Sequence, residues 1–261
     1  MKKIESFTNK SIKWVKKLLT DSKQRKQENL AVIETKKIFL TVLESIDSKD
    51  IEAIFVTHDF LMGNKRLLHK FDDRINLCPN SIFNSASGLK SPDGIICVFR
   101  PKKNKIIVDK NSNYIALYNL QNPHNLGAVI RSCLGFNIKG IFLIGNCCDL
   151  YHPETIRSSM GYVFNMQVEK FNDFDYFLQY IKTNSLHLLA MANNSRAIDI
   201  FNYKNKAGNC FIIGNEGHGL PENVLNKCST IIKIPLNKTV ESLNASVAAS
   251  IVAFYLDHEN N

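Results

Sequence analysis

The sequence predicts an α/β protein in two parts: a C-terminal, mostly parallel sheet with helices on both faces, preceded by a small α/β domain. Three observations carry this expectation. Short apolar runs of strand type alternate with stretches of helical spacing along the chain, the pattern of βαβ units. Charge divides the chain, since residues 1–110 hold 22 Lys+Arg against 13 Asp+Glu whereas residues 111–261 hold 11 of each. The polar segment RPKKNKIIVDKNSN at 100–113 opens with a proline and sits where the charge changes, so the expected domains are 1–105 and 112–261.

Within the first 30 residues, nine basic side chains stand against three acidic ones. Ile12, Val15 and Leu19 mark one face of a helix there, and Lys10, Lys13, Lys16 and Lys17 lie largely off it. A short lysine run alone is as well read as a solvated helix face, but a half-chain excess of nine positive charges favours a polyanion partner. NLAVIE at 29–34, IEAIFV at 51–56 and GIICVF at 94–99 read as strands and INLC at 75–78 as extended, while TKKIFLTVLES and LMGNKRLLHKF read as helices.

The second part begins with the strand YIALYNL at 114–120, which feeds QNPHNLGAVIRSCLGFN. Pro123 and Asn125 suit the turn into a helix, and Ala128, Val129, Cys133 and Phe136 supply its apolar spacing. Arg131 is then expected about one turn into that helix, near the carboxyl edge where open α/β sheets bind ligands. GIFLIG at 140–145, HPETIRSSMG, YVFNMQV at 162–168, a helix near NDFDYFLQYIK and the strand LHLLAMA at 186–192 continue the alternation. Two glycine- and asparagine-rich loops follow strands near the C-terminus. In NCFIIGNEGHGLPENVL, Gly214, Gly217 and Gly219 let the turn approach a ligand closely. In STIIKIPLNKTVESLNASVAASIVAFYL, a strand ends at Pro235, and a polar loop leads to an apolar helix with Ser242 or Asn244 as its cap. Two such loops side by side make a site for a small organic molecule.

Composition narrows the class further. At 44% hydrophobic over 261 residues the chain can bury two cores, and no run approaches the ~20 apolar residues of a membrane helix. MKKIESFTNKSIKWVKK has lysines without an apolar stretch behind them, so a soluble cytoplasmic protein is expected. Seven cysteines, with Cys147 and Cys148 adjacent but no C-x-x-C pair, are expected to be reduced, and no metal is expected.

NPHNLGAVIRS at 122–132, IIGNEGHGL at 212–220 and IPLNKTVESLNASVA at 234–248 together resemble the three motifs of the SpoU/TrmH family of S-adenosylmethionine-dependent RNA 2'-O-ribose methyltransferases, in the family's order. The likeness spans about the last 150 residues and is weak before that. It implies the SPOUT fold, in which the C-terminal segment threads a loop to form a deep trefoil knot. It also implies a two-fold homodimer through the C-terminal halves and an RNA substrate; the first part resembles, in arrangement more than in residues, the small α/β RNA-binding domain that precedes the catalytic half in several such enzymes, which favours ribosomal over transfer RNA. By the same resemblance Gly214, Ile234 and Leu243 contact S-adenosylmethionine with Ala192 and Asn215 nearby, and catalysis falls to Asn125, Arg131, Glu216, Ser242 and Asn244.

An arginine side chain effectively never loses its proton, so Arg131 is expected to grip an RNA phosphate while a phosphate oxygen, Glu216 or water accepts the ribose proton. Glu216 is a base or only braces its loop. Arg157 matches a further family segment near the RNA path, or is ordinary surface. His124 and His218 stand outside the family pattern, and Ala245 replaces a common valine. The glycines of GNEGHG run out of order for a dinucleotide fingerprint, which makes that reading weak. The stronger rival is a non-catalytic RNA-binding protein that keeps the fold.

Overall fold

The computed structural model describes residues 1–102, 105–204 and 208–258. The chain divides into two compact units, Met1–Lys103 with Asp149–Phe164, and Asn104–Cys148 with Asn165–Asn261.

The first unit is built on β1 (Lys2–Lys3), α1 (Lys10–Thr20), α2 (Ser22–Glu28), β2 (Ala31–Ile33), α3 (Lys36–Leu43), β3 (Ile51–Val56), α4 (His58–Gly63), α5 (Lys65–Leu68), β4 (Ile75–Leu77), α6 (Asn80–Ala86) and β5 (Ile95–Phe99). Its five strands run in the order β1-β4-β3-β5-β2, with β1, β4 and β3 parallel and β5 antiparallel to both β3 and β2. Ile12, Val15, Leu18 and Leu19 of α1 pack with Val32, Phe55, Phe83, Ile96 and Val98 in one core, which leaves Lys10, Lys13 and Lys17 exposed. Asp21 ends α1 in an extended conformation and caps α2 by accepting from the Lys23 and Gln24 amides. The helix expected over LMGNKRLLHKF is broken at Asn64, whose backbone leaves helical geometry and whose Nδ2 donates to the Phe60 carbonyl.

The second unit carries β6 (Tyr114–Tyr118), α7 (Pro123–Gly135), β7 (Gly140–Ile144), β8 (Val168–Phe171), α9 (Phe174–Thr183), β9 (His187–Met191), β10 (Ile198–Asp199), β11 (Asn209–Ile213), α10 (Glu222–Leu225), β12 (Thr230–Lys233) and α11 (Ala245–His258), with α8 (Pro153–Ser158) lying in the excursion between β7 and β8. All seven strands are parallel in the order β10-β12-β9-β11-β6-β7-β8. The central strands are buried on both faces, as a parallel sheet between helical layers requires. On one face Tyr114, Ala116, Phe142, Leu188 and Cys210 meet Phe177, Leu178 and Ile181 of α9. Val129, Ile130 and Cys133 of α7 and Ala249, Val252, Ala253 and Leu256 of α11 are buried as those two helices pack together, with α11 reaching β11. The strand expected at 162–168 starts only at Val168, because Tyr162–Phe164 turns as a 3₁₀ segment.

One feature departs from two consecutive domains: Asp149–Phe164, from inside the C-terminal part of the sequence, belongs to the first unit. Two ion pairs hold it there. Arg25, 2% exposed, donates through Nη2 to Asp149 at 2.7 Å and through Nη1 to the Leu18 carbonyl at 2.6 Å. Arg157 reaches Glu34 at 3.2 Å, and the buried Glu34 also accepts from Ser87 Oγ and the Gly88 amide. Phe164 closes the contact edge-on against Phe99, ring centroids 4.8 Å apart.

A buried pair broken on one side leaves a charge without water or partner. Asp149→Asn is therefore expected to cost about 3 kcal/mol in urea unfolding, and the Arg25→Met/Asp149→Leu double variant clearly less. Equal losses in the two would show that packing and not charge decides the effect.

Candidate active site

The carboxyl ends of β9, β11 and β12 release three loops that enclose a cavity of about 540 Å³. Ala192 follows β9, Gly214, Asn215 and Glu216 follow β11, and Ile234, Ser242 and Leu243 lie between β12 and α11; all seven line it. Each residue expected to contact the small molecule is thus a wall of one cavity, and of the catalytic candidates Glu216 and Ser242 share that wall. A volume of this size suits a drug-sized ligand. Glu222 is neutralised by its pairing with Arg196, which leaves Glu216 and Glu241 against Lys233 among the charged lining residues, a slight acidic excess that favours a ligand carrying positive charge.

Local backbone chemistry shapes the walls. A Cβ on Gly214 would overlap the backbone of Gly219 and lie 2.6 Å from the Leu220 nitrogen, so only glycine lets residues 214–220 fold back on themselves. Gly219, at φ +61, returns its amide to the Asn215 carbonyl at 2.8 Å. Asn215 Oδ1 accepts from the Gly217 amide at 2.8 Å, and its Nδ2 donates to the Asn119 carbonyl at 3.0 Å, tying the loop to the end of β6.

Asn125 joins the three motifs. Asn122 caps α7, with Pro123 in the first turn, and this sets Asn125 facing inward at 4% exposure. Its Nδ2 donates to Glu216 Oε1, and its Oδ1 accepts from Asn244 Nδ2 at 3.2 Å. Asn244 in turn uses its own Oδ1 to accept from the Ser246 amide at 2.8 Å, so Asn244 and not Ser242 starts α11. Ser242 is exposed, and its hydroxyl makes no hydrogen bond among the described residues.

Arg131 stands apart from this cluster. It lies just over two turns into α7 rather than one, does not line the cavity, and is exposed without an ion pair or side-chain hydrogen bond among the described residues. His124 is exposed, and His218 is exposed at the cavity wall. Cys133 and Cys210 do not line the cavity, and burial pushes both thiols up. Among the described residues no group of three His, Cys, Asp or Glu side chains is placed to hold a metal ion.

Sequence reasoning missed Asn119 and Arg196. Arg196 donates to Asn226 Oδ1 at 2.7 Å and pairs with Glu222, bridging the loop after β9 to α10 beside the cavity. The only signal for either was a polar side chain just past an apolar strand.

A parallel sheet with a ligand-sized cavity at its carboxyl edge, walled by glycine-rich loops, defines an α/β protein that holds a small cofactor or substrate there. The chain belongs to the SpoU rRNA Methylase family, which matches residues 112–254, more than half of its length. It is 26% identical over 260 residues to the 23S rRNA (guanosine(2553)-2'-O)-methyltransferase RlmP of Bacillus subtilis, spanning 98% of this chain and 99% of that protein. It is 32% identical over 155 residues to the mitochondrial rRNA methyltransferase 1 of Dictyostelium discoideum, which covers 57% of this chain and only 29% of that longer protein. The fold is shared with the AdoMet-bound rRNA methyltransferase of Sinorhizobium meliloti, at TM-score 0.87 and 21% identity over 98% of this chain and 97% of that one.

Gly214→Ala is expected to push residues 214–220 out of register and cost about 1–3 kcal/mol of stability. Gly135→Ala, where a Cβ would meet nothing within 4 Å, serves as the control. Equal thermal midpoints for the two variants would refute the close approach at Gly214.

Proposed function

We propose that this chain transfers the methyl group of S-adenosylmethionine to a ribose 2'-hydroxyl in structured RNA, ribosomal RNA in preference to transfer RNA, in the cytoplasm. The observation that carries the reading is the hydrogen-bonded set Asn244, Asn125 and Glu216, which draws all three motifs to the mouth of one acidic cavity. The Bacillus subtilis relative, similar along nearly its whole length, is by name a 23S rRNA 2'-O-methyltransferase, and the Sinorhizobium meliloti structure binds AdoMet. All seven cysteines are free thiols, in keeping with a reducing compartment. No helix among the described residues is long and apolar enough to cross a membrane.

The residues present fit the cofactor: apolar Ile234 and Leu243 offer walls to an adenine ring, glycine-rich backbone offers edge contacts, and the carboxylates favour a cation. Bound there, S-adenosylmethionine supplies an electrophilic methyl group on a sulfonium. Catalysis then needs the ribose held in line and its proton accepted. Asn125 has both ends of its amide engaged, so it orients Glu216 and Asn244. Glu216 gives one oxygen to that brace and keeps the other for a proton or a hydroxyl, while Ser242 offers a hydroxyl at the cavity wall. The unengaged guanidinium of Arg131 is the fork for an RNA phosphate.

Substrate selection is assigned to the first unit, whose sequence carries 21 Lys+Arg against 14 Asp+Glu, compared with 12 against 10 in the second. Arg25 and Arg157 are spent on internal ion pairs, so the exposed Lys10, Lys13 and Lys17 of α1 are the better phosphate contacts. Replacing those three by alanine flattens the salt dependence of RNA binding; an unchanged slope removes them from the interface. The knot is part of the same reading, supported by the adjacency of the 214–220 and 234–244 loops around one cavity.

The active form is proposed to be a two-fold dimer through α7 and α11. An apolar groove lined by Phe136, Val247, Ile251 and Phe254 runs along these helices, and Val247 and Phe254 are 46% and 55% exposed. Sedimentation at micromolar concentration is expected to report twice 29.6 kDa; a fully active monomer overturns this assembly.

The acceptor atom is tested with RNA carrying one 2'-deoxy substitution at the mapped target nucleotide. That RNA is expected to bind normally and accept no methyl group, and transfer to it at the usual rate would place the acceptor on the base. In the same assay Arg131→Ala nearly abolishes transfer while calorimetric S-adenosylmethionine binding persists, and Arg131→Lys restores little because lysine lacks the planar fork. Near-normal turnover by the lysine variant would reduce the role of Arg131 to charge.

A further inference from the structure

A second cavity, of about 360 Å³, opens at the same sheet edge and is lined by Tyr118, Asn119, Gln121, Asn146 and His218 among others. It lies where β11, β6 and β7 end, whereas the larger cavity lies where β12, β9 and β11 end. The loop after β11 separates them, with Asn215, His218 and Gly219 lining both. We propose that this second cavity receives the base of the nucleotide whose ribose is methylated, and that the Gln121 and Asn146 carboxamides read the base edge beside the Tyr118 ring.

Position is the first argument, and it rests on the methyl transfer proposed above. Glu216 belongs to the separating loop, and Asn125 lies in the first turn of α7, which begins just after the cavity-lining Asn119 and Gln121. An oxygen attacking in line must approach the methyl carbon from the side opposite the sulfur. With the donor in the larger cavity, the acceptor ribose must reach its mouth beside Glu216, and the second cavity, which shares Asn215, His218 and Gly219 with the first, is the adjacent place for its base.

Construction is the second. Asn119 holds a left-handed backbone at φ +53, a region that asparagine adopts more readily than most residues with a side chain. Its amide donates to the Ile144 carbonyl at 2.9 Å and its Oδ1 accepts from the Asn146 amide at 2.7 Å. Gly145, at φ +71, has no room for a Cβ against the Asn119 side chain. This wall of the cavity is therefore held in place by the ends of β6 and β7.

Lining chemistry is the third. No Lys, Arg, Asp or Glu lines the cavity, which disfavours a phosphate and favours a neutral heterocycle. Gln121 and Asn146 are exposed, their side chains make no hydrogen bonds among the described residues, and each carboxamide offers a donor and an acceptor at the cavity rim. Unstacked RNA bases are recognised in this way, by stacking on an aromatic ring and by amide contacts to their edges.

The test uses the full chain, tritiated S-adenosylmethionine and ribosomal RNA from cells lacking this protein. Gln121→Ala and Asn146→Ala are each expected to lower kcat/KM for RNA about tenfold, with calorimetric donor affinity within about twofold of wild type. A synthetic RNA that keeps the target ribose but lacks its base should be a poor substrate for wild type, and Asn146→Ala should cost nothing further on it. Unchanged kcat/KM in both variants, or an Asn146→Ala loss that persists on the base-free RNA, overturns the proposal. Weakened donor binding also overturns it, since the cavity would then belong to the donor. Failure of wild type to methylate any ribosomal RNA is a different result, which removes the functional reading and this inference with it.

Discussion

A single buried amide holds the site together. Asn125, almost without solvent contact, donates to Glu216 and accepts from Asn244, so the first turn of α7, the loop after β11 and the start of α11 are fixed to one another by one side chain. Burying a carboxamide is unfavourable unless its groups are satisfied, and here each partner is itself constrained. Glu216 sits on a loop that only Gly214 permits, and Asn244 is committed to capping α11. The geometry of the cavity mouth therefore follows from a chain of obligations rather than from any one strong contact.

Charge is put to two uses in the first unit. Arg25 and Arg157 are consumed in holding Asp149–Phe164 against α2 and β2, with Glu34 receiving three donors at once. Replacing such pairs with apolar side chains often costs little stability, so their value here lies in specifying which segment docks. The lysines of α1 are left free on the opposite side of its apolar face. A count of basic residues treats these two populations alike, although only the second is available to a polyanion.

The two cavities share one thin wall. Because β11 lies centrally in the sheet, the loop it releases faces β9 and β12 on one side and β6 and β7 on the other. A donor and the proposed base can occupy the two cavities without competing for space, and the acceptor oxygen then has to meet the methyl group at the mouth of the larger one.

Much of this was legible in the chain itself. Alternating apolar runs predicted the parallel sheet, since strands buried on both faces must be apolar throughout, and Gly214 followed by Asn215 and Glu216 marked a strand end where backbone must pass backbone. The cavity residues Ala192, Ile234 and Leu243 were reached through family resemblance, because composition alone makes them ordinary core. Other features depend on contacts between residues far apart in sequence, which no local pattern encodes. The docking of Asp149–Phe164 rests on partners more than 120 positions away, the pairing of Asn125 on partners 91 and 119 away, and the exposure of Arg131 on which face of α7 the sheet covers. Periodicity and local propensity reside in neighbouring residues and survive in the string; hydrogen-bond saturation and burial belong to the packed state, and only tertiary structure decides them.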